Sequence, residues 1–298
     1  ALHMASELGK QLEADLLMGT DPDADRLGIV VRDGKNYPLL TGNQLGCLLE
    51  DYILSTRKEL GTLPKVPVII KTIVTTELQR KIAEFYGALC LDVLTGFKYI
   101  GEMIRQFELE KSEKEYVFGG EESYGYLTTK EVRDKDAVAA AVLTVEMCLY
   151  YLSQGKSLVQ RLKELYHQFG WYREALIAEE FKGAQGMKLM ADLMDKLRNS
   201  PPQSIAGKAV VLIKDYLKGE VRDKKGTVTG TIDLPKSNVL QFFLEDQSIL
   251  SARPSGTEPK IKFYISCCTL PNMDEALAQK ELTGKIQGIS EYVKGLFR

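Results

Sequence analysis

The sequence predicts an α/β protein in three parts: a partial α/β domain, a complete α/β domain with a mixed or parallel sheet, and an α+β domain with an antiparallel sheet. Three observations carry this. Between Val68 and Phe169, apolar runs of strand length alternate with helical stripes, the order of βαβ units. From Trp171 onward the pattern turns to short strand-like runs in succession, as in antiparallel sheets. Ahead of both, the chain opens with one helix and one strand, too little for a doubly wound sheet, so it reads as beginning in the middle of a domain. The expected domains are residues 1–62, 63–173 and 174–298.

Leu2, Ala5, Leu8 and Leu12 form a helical stripe, and Leu16–Met18 a short strand. A loop, Thr20-Asp21-Pro22-Asp23-Ala24-Asp25-Arg26, leads into an apolar strand, Leu27–Val31. Asp33-Gly34 is a hairpin turn, and the chain returns through Tyr37–Leu40. Thr41 followed by Gln44 is a capping box that opens a helix running to about Lys58. Gly61, Pro64 and Pro67 then break the pattern. The second part predicts a strand over Val68–Val74, a helix over Thr76–Tyr86 stopped by Gly87, and a strand over Leu89–Leu94. After the loop Thr95-Gly96-Phe97-Lys98 come a helix over Tyr99–Leu109 and a strand over Tyr116–Phe118. Helices over Asp136–Leu152 and Ser157–Phe169 follow, ended by Gly170.

In the third part, strand-like Ala175–Glu180 precedes a helix over Met187–Arg198 and a Ser200-Pro201-Pro202 turn. Strands are expected at Val210–Ile213, Thr227–Ile232, Val239–Leu244, Ile249–Ala252 and Ile261–Ser266, with a closing helix over Asp274–Leu296.

Composition narrows the function classes. The 298 residues are 44% hydrophobic and 27% charged with net charge −2, ordinary for a globular protein and without the basic bias of a nucleic-acid binder. No apolar run approaches the ~20 residues of a membrane span, so no membrane partner is expected. Cys47, Cys90, Cys148, Cys267 and Cys268 are odd in number and lack Cys-x-x-Cys spacing, which argues against a zinc site or a disulfide framework and fits a reducing cytoplasm. His3 and His167 lie far from every motif.

Three loops carry chemistry. Asp21, Asp23 and Asp25 alternate, and carboxylates so close need either solvent, as in a plain acidic turn, or a hard cation such as Mg²⁺. An EF-hand does not fit, because its sixth position would be Arg26 and its twelfth Arg32. Gly119-Gly120-Glu121-Glu122-Ser123-Tyr124-Gly125-Tyr126 offers acceptors and donors suited to hydroxyl groups. Ser251-Ala252-Arg253-Pro254-Ser255-Gly256-Thr257-Glu258-Pro259-Lys260 combines a guanidinium, hydroxyls and a glycine in the manner of an anion cradle. It lacks the Gly-Lys-Ser/Thr of a Walker loop. A cation loop, a polyol loop and a phosphate loop in one chain point to phosphoryl chemistry on a sugar.

With Asp-Pro-Asp-Ala-Asp-Arg, Gly-Glu-x-Ser and Arg-Pro-Ser-Gly-Thr-Glu-Pro in this order, the chain resembles the α-D-phosphohexomutase superfamily over its whole length. The resemblance implies Mg²⁺ on Asp21, Asp23 and Asp25, with Arg26 in support beside a phosphoserine. It implies sugar contacts by Glu121 and Ser123, and phosphate contacts by Arg253, Ser255, Gly256 and Thr257. It makes Lys98 the candidate proton handler, on the argument that a lysine in a cationic, partly desolvated site can lose its proton. Arg133 and Lys135 read as helix-start charges, with a phosphate contact as the alternative. The last domain would be TATA-box-binding-protein-like. The implied parent is a cytoplasmic phosphoglucomutase interconverting glucose 1-phosphate and glucose 6-phosphate, with glucose 1,6-bisphosphate as activator and intermediate. Phosphomannomutase, phosphopentomutase and hexose-bisphosphate synthase are the alternatives. The family's serine motif, Thr-Ala-Ser-His-Asn-Pro, does not occur here, so the implied partners are a phosphosugar and missing N-terminal domains of the same protein. The chain alone is then expected to be inactive, or a phosphosugar-binding module.

Overall fold

The computed structural model describes residues 2–181, 185–256 and 258–297. The chain forms two compact units, Ala1–Phe169 and Gly170–Arg298.

The first unit runs α1 (His3–Gln11), β1 (Leu16–Thr20), β2 (Leu27–Val31), β3 (Leu39–Leu40), α2 (Gly42–Glu59), β4 (Val66–Thr72), α3 (Leu78–Tyr86), β5 (Leu89–Val93), α4 (Lys98–Leu109), β6 (Lys114–Glu121), β7 (Gly125–Leu127), α5 (Ala137–Ser153) and α6 (Leu158–Phe169). It holds two sheets. One is antiparallel with order β1-β2-β3; the other has order β5-β4-β6-β7. In the second, β4 is parallel to β5 and β6, and β7 returns antiparallel on β6, so the sheet is mixed.

Apolar periodicity explains most of these elements. Val68 and Ile70 on β4 meet Ile100, Ile104 and Phe107 of α4, with Val93, Tyr116 and Leu127, in one buried cluster. The capping box on α2 is present: Thr41 Oγ1 accepts from the Gln44 amide at 3.2 Å, and Gln44 Oε1 accepts from the Thr41 amide at 2.9 Å. The α2 helix packs on α3 and β6. The first helix departs from expectation in the face it uses. Leu8 and Leu12 of its stripe are 56% and 69% exposed. The helix instead meets the sheet through Gly9, which lies against the Leu17 side chain.

Buried charges fasten the unit. The Lys71 side chain is 0% exposed and is 2.7 Å from Glu77 Oε1 and 2.9 Å from Asp92 Oδ1. Arg80 binds the same two acids, at 2.8 and 2.6 Å. This network joins the ends of β4 and β5 to the start of α3. Asp51 on α2 accepts from Arg161 at 2.9 and 2.8 Å and from the hydroxyls of Tyr86 and Tyr151 at 2.9 Å, tying α2, α3, α5 and α6 together.

The second unit runs β8 (Tyr172–Glu180), α7 (Gly186–Asn199), β9 (Ser204–Ile205), β10 (Lys208–Asp215), β11 (Glu220–Asp223), β12 (Val228–Thr231), β13 (Leu240–Leu244), β14 (Ile249–Pro254), β15 (Lys260–Cys268) and α8 (Glu275–Gly295). Its strands pair in the order β12-β11-β10-β13-β14-β15-β8, with β9 on β10. Every pair is antiparallel, as the sequence predicts. The α8 helix, capped by Asp274, packs on β15 and β8. Cys267 and Cys268 end β15 as buried packing residues.

Three strands were not expected from the sequence: Gly125–Leu127, Ser204–Ile205 and Glu220–Asp223. Two are very short. The third, Glu220-Val221-Arg222-Asp223, is mostly charged, and Arg222 is buried because it pairs with Asp215 at 3.3 Å. Among the described residues no single helix is long and apolar enough to cross a membrane; α5 and α6 pass that test only together, as a pair bent by 84°.

Candidate active-site loops

The acidic loop joins β1 to β2 and folds back on itself. Asp21 Oδ1 accepts from the amides of Asp25 and Arg26, each at 3.1 Å. Ala24 takes a left-handed φ of 56°, which lets the loop reverse within a few residues. One carboxylate oxygen each from Asp21, Asp23 and Asp25 then lie within 4.8 Å of one another. Desolvation raises the Asp21 carboxyl, but the backbone donors of Arg26 and Asp25 outweigh it and hold Asp21 below its ordinary value. Arg26 lies farther off, its Nε 3.8 Å from Asp21 Oδ2 and 3.7 Å from Asp25 Oδ1.

The residues fit a hard divalent cation. Asp25 Oδ1 is buried and makes no hydrogen bond. A buried carboxylate oxygen without a donor is rare unless an ion or water completes it, and Mg²⁺ takes such oxygens.

The loop after β6, the candidate hydroxyl-binding loop, lies beside the acidic one. The β6 strand ends at Glu121, and Tyr124, with φ 69°, turns the chain into β7. The Leu27 amide donates to Tyr124 O at 3.0 Å, and Arg26 forms a bridge with Gly125. Ala137, the first residue of α5, donates from its amide to Ala24 O at 3.2 Å. Gly42, at the start of α2, permits this packing: a Cβ there would stand 2.1 Å from Glu122 O. The two sheets are stitched together at these loops.

Glu121 and Glu122 diverge. Glu121 Oε1 accepts from the Gly96 amide at 2.9 Å, which joins the hydroxyl-binding loop to the Thr95–Lys98 loop. Glu122 Oε2 accepts from Thr72 Oγ1 at 3.3 Å, at the end of β4. Ser123 is half-buried between them and Tyr124. The carboxyl ends of β4, β5 and β6 thus converge, the place where ligands bind in open α/β sheets.

Lys98 begins α4 and is exposed, its Nζ 4.9 Å from the Tyr99 ring centre. It lines a groove of about 670 Å³ with Tyr99, Glu102, Arg105, Glu108 and Arg133. The cationic neighbours that the sequence argument requires are present. The desolvation is not, since Lys98 stands in solvent in this chain.

Lys135 is more central than a helix-start charge. Its ammonium is 3.0 Å from Asp25 Oδ2, and its stem lies against Gly125. Lys71 was missed altogether by sequence reasoning; the available signal was a single lysine inside the apolar run Val68–Thr72.

In the second unit, the loop between β14 and β15 carries the anion-cradle residues. Arg253 pairs across the strands with Lys262 and is half-buried. The Ser255 amide donates to Lys260 O at 2.7 Å, and Ser255 Oγ accepts from the Glu258 amide at 3.2 Å. Gly256 is exposed, with no atom within 4 Å of where a Cβ would stand, so its backbone is open to a ligand. Thr257 lies outside the described residues.

The chain thus joins an acidic loop on a small antiparallel sheet to the loop that ends β6 of a mixed sheet, and follows them with an antiparallel unit that carries a basic loop. Residues 41–169 match the family described as phosphoglucomutase/phosphomannomutase, alpha/beta/alpha domain III, and this part of the chain is a domain of that kind. The chain is similar to the phosphoglucomutases of Staphylococcus aureus: 40% identical over 281 residues to that of strain USA300, covering 94% of this chain and 49% of the relative. The chain spans about half the length of the curated relatives it matches. Among solved structures, the open form of the Paramecium phosphoglucomutase pp63/parafusin aligns at TM-score 0.64 and 18% identity, over 100% of this chain and 50% of that one. A phosphoglucomutase/phosphomannomutase family protein from Burkholderia thailandensis aligns at TM-score 0.59 and 17% identity, over 99% of this chain and 50% of that one. At such identities these structures speak to the fold alone.

Proposed function

We propose that the protein containing this chain is a Mg²⁺-dependent phosphoglucomutase, interconverting glucose 1-phosphate and glucose 6-phosphate in the cytoplasm. The observation that carries this reading is the junction of the two loops, where the Arg26–Gly125 bridge and the Leu27–Tyr124 hydrogen bond hold the three aspartates beside Glu121 and Ser123. The 40% identity to staphylococcal phosphoglucomutases favours glucose over mannose or a pentose.

Asp21, Asp23 and Asp25 would hold the cation, with Arg26 in support. Bound Mg²⁺ supplies charge neutralisation for phosphoryl transfer. Glu121 and Ser123 accept from and donate to the sugar hydroxyls. Lys98 takes or returns the proton of the attacking hydroxyl; closure of the site over substrate would have to remove the solvent around it. Arg253, Ser255, Gly256 and Thr257 grip the phosphate that is not reacting, so remote binding energy positions the other end. Glucose 1,6-bisphosphate is the intermediate this chemistry requires.

A second reading concerns the chain by itself. No Thr-Ala-Ser-His-Asn-Pro motif occurs in its 298 residues, and transfer needs a group that stores a phosphoryl. The chain alone then binds phosphosugar without turning it over. Both readings are tested by one pair of measurements. Calorimetric titration with glucose 6-phosphate should show binding, and a coupled dehydrogenase assay with Mg²⁺, glucose 1-phosphate and the bisphosphate should show no glucose 6-phosphate. Turnover that persists through repurification would overturn the second reading, and preference for mannose or ribose phosphates would overturn the first.

A further inference from the structure

Lys135 lies at the centre of the loops. Its ammonium is 3.0 Å from Asp25 Oδ2 and 3.0 Å from Asp134 Oδ1, with 13% of the side chain exposed. Nζ also stands 5.3 Å over the Phe97 ring, and the stem occupies the space where a Cβ on Gly125 would come 2.3 Å from Lys135 Cδ. The aromatic face and the glycine leave the lysine little freedom except at its tip. Arg26, the other cation near the aspartates, is 54% exposed and keeps 3.7–3.8 Å from them, beyond hydrogen-bond distance. Among the described residues, Lys135 is therefore the close counter-charge of the acidic loop.

We propose that Lys135 is a built-in counter-cation whose charge competes with that of a divalent ion at the acidic loop. This rests on the reading of Asp21, Asp23 and Asp25 as metal ligands. Without an ion, the ammonium offsets the mutual repulsion of three carboxylates within 4.8 Å of one another. An ion that arrives at the unpartnered Oδ1 meets the ammonium already resting on Oδ2 of the same carboxylate, and the two cations repel. The resident charge lowers the affinity of the loop for divalent ions, so the site loads and unloads readily.

The sign of one measurement separates this from a purely structural role. If Lys135 only pins the loops, deleting it loosens the aspartates and weakens ion binding. If it is a competitor, deleting it strengthens ion binding. A unit charge and a divalent charge about 5 Å apart repel enough, even with water-like screening, to change affinity roughly tenfold. The experiment is a Mn²⁺ titration of the whole chain, following free Mn²⁺ by electron paramagnetic resonance, with Asp25→Asn as the baseline. Lys135→Met should bind Mn²⁺ roughly tenfold tighter than wild type, and the charge-retaining Lys135→Arg should stay within about twofold. Lys135→Gln, which keeps a donor without the charge, decides by the same sign if the methionine variant does not fold. Unchanged or weaker binding in the neutral variants, with wild type still binding, would overturn the competitor role alone. No Mn²⁺ uptake by wild type or any variant would overturn the metal reading, and the proposal with it.

Discussion

Lys71→Met tests whether the buried charge network holds the strand ends from which the candidate site is built. The Lys71 side chain is 0% exposed and binds Glu77, Asp92 and the Thr75 carbonyl at 2.7, 2.9 and 3.3 Å. Methionine fills the same stem volume, so the loss falls on the charge. Two carboxylates would then share Arg80 alone. Breaking a buried ionic network by removing one member costs about 3–5 kcal/mol, because the remaining charges stay desolvated. At about 2–4 °C per kcal/mol for a unit of this size, the melting point should fall by roughly 10 °C. Far-UV circular dichroism against temperature and urea measures it. A double-mutant cycle with Glu77→Gln should return a coupling of about 1–3 kcal/mol. The same strand end carries Thr72, which donates to Glu122, so the hydroxyl-binding turn should become easier to cleave by protease. A loss below about 1 kcal/mol would refute the reasoning, since it would mean that the buried ammonium contributes no more than an exposed surface pair.

Three further outcomes follow from the geometry. Desolvation raises the Glu77 carboxyl, but the charges of Lys71 and Arg80 overcome it and bring it down to about 2, from an ordinary 4.5. A depressed carboxylate contributes stability above its unfolded value, so wild type should lose at most about 3 kcal/mol as pH falls from 4.5 to 2, and acid titrations of Lys71→Met should lack much of this slope. Arg253→Ala removes the proposed charge-assisted phosphate contact and should weaken glucose 6-phosphate binding roughly ten- to a hundredfold by calorimetry, with glucose 1-phosphate weakened alike. Gly42→Ala places a methyl 2.1 Å from Glu122 O and 2.8 Å from the Tyr124 amide, backbone atoms that cannot turn aside; about 1–3 kcal/mol of stability should be lost in urea melts, together with phosphosugar affinity.

The parts of the fold that were legible in the sequence are those where one local rule dominates. The Thr41–Gln44 capping box, the Gly87 stop and the parallel alternation from Val66 to Glu121 follow from side-chain chemistry within a few residues of each position. What escaped depends on partners far away in the chain. Lys71 sits in an apolar strand because Glu77, Asp92 and Arg80 surround it, and no local pattern announces that. The β11 strand is charged because Asp215 receives Arg222. Leu8 and Leu12 form a stripe that helical periodicity identifies, but periodicity does not say what covers a stripe, and here both are exposed. In the candidate site, the acidic and hydroxyl-binding residues were readable as motifs. Lys135 was not, because its importance comes from lying 110 residues away from Asp25 in the chain and 3.0 Å from it in space.

The stitching of the two sheets bears on how the chemistry is divided. The acidic loop belongs to a small sheet, β1-β2-β3, which by itself is too little structure to hold three repelling carboxylates in place. Its position is set from the neighbouring mixed sheet, through Leu27 to Tyr124 and Arg26 to Gly125, and from the start of α5, through Ala137 to Ala24 and Lys135 to Asp25. All four contacts are internal to the unit Ala1–Phe169. The acidic loop and the loop after β6 are therefore one mechanical element, and neither needs another unit to bring them together. If the chain binds a cation and a sugar phosphate but transfers nothing, the missing ingredient is the phosphoryl carrier rather than the geometry of these loops.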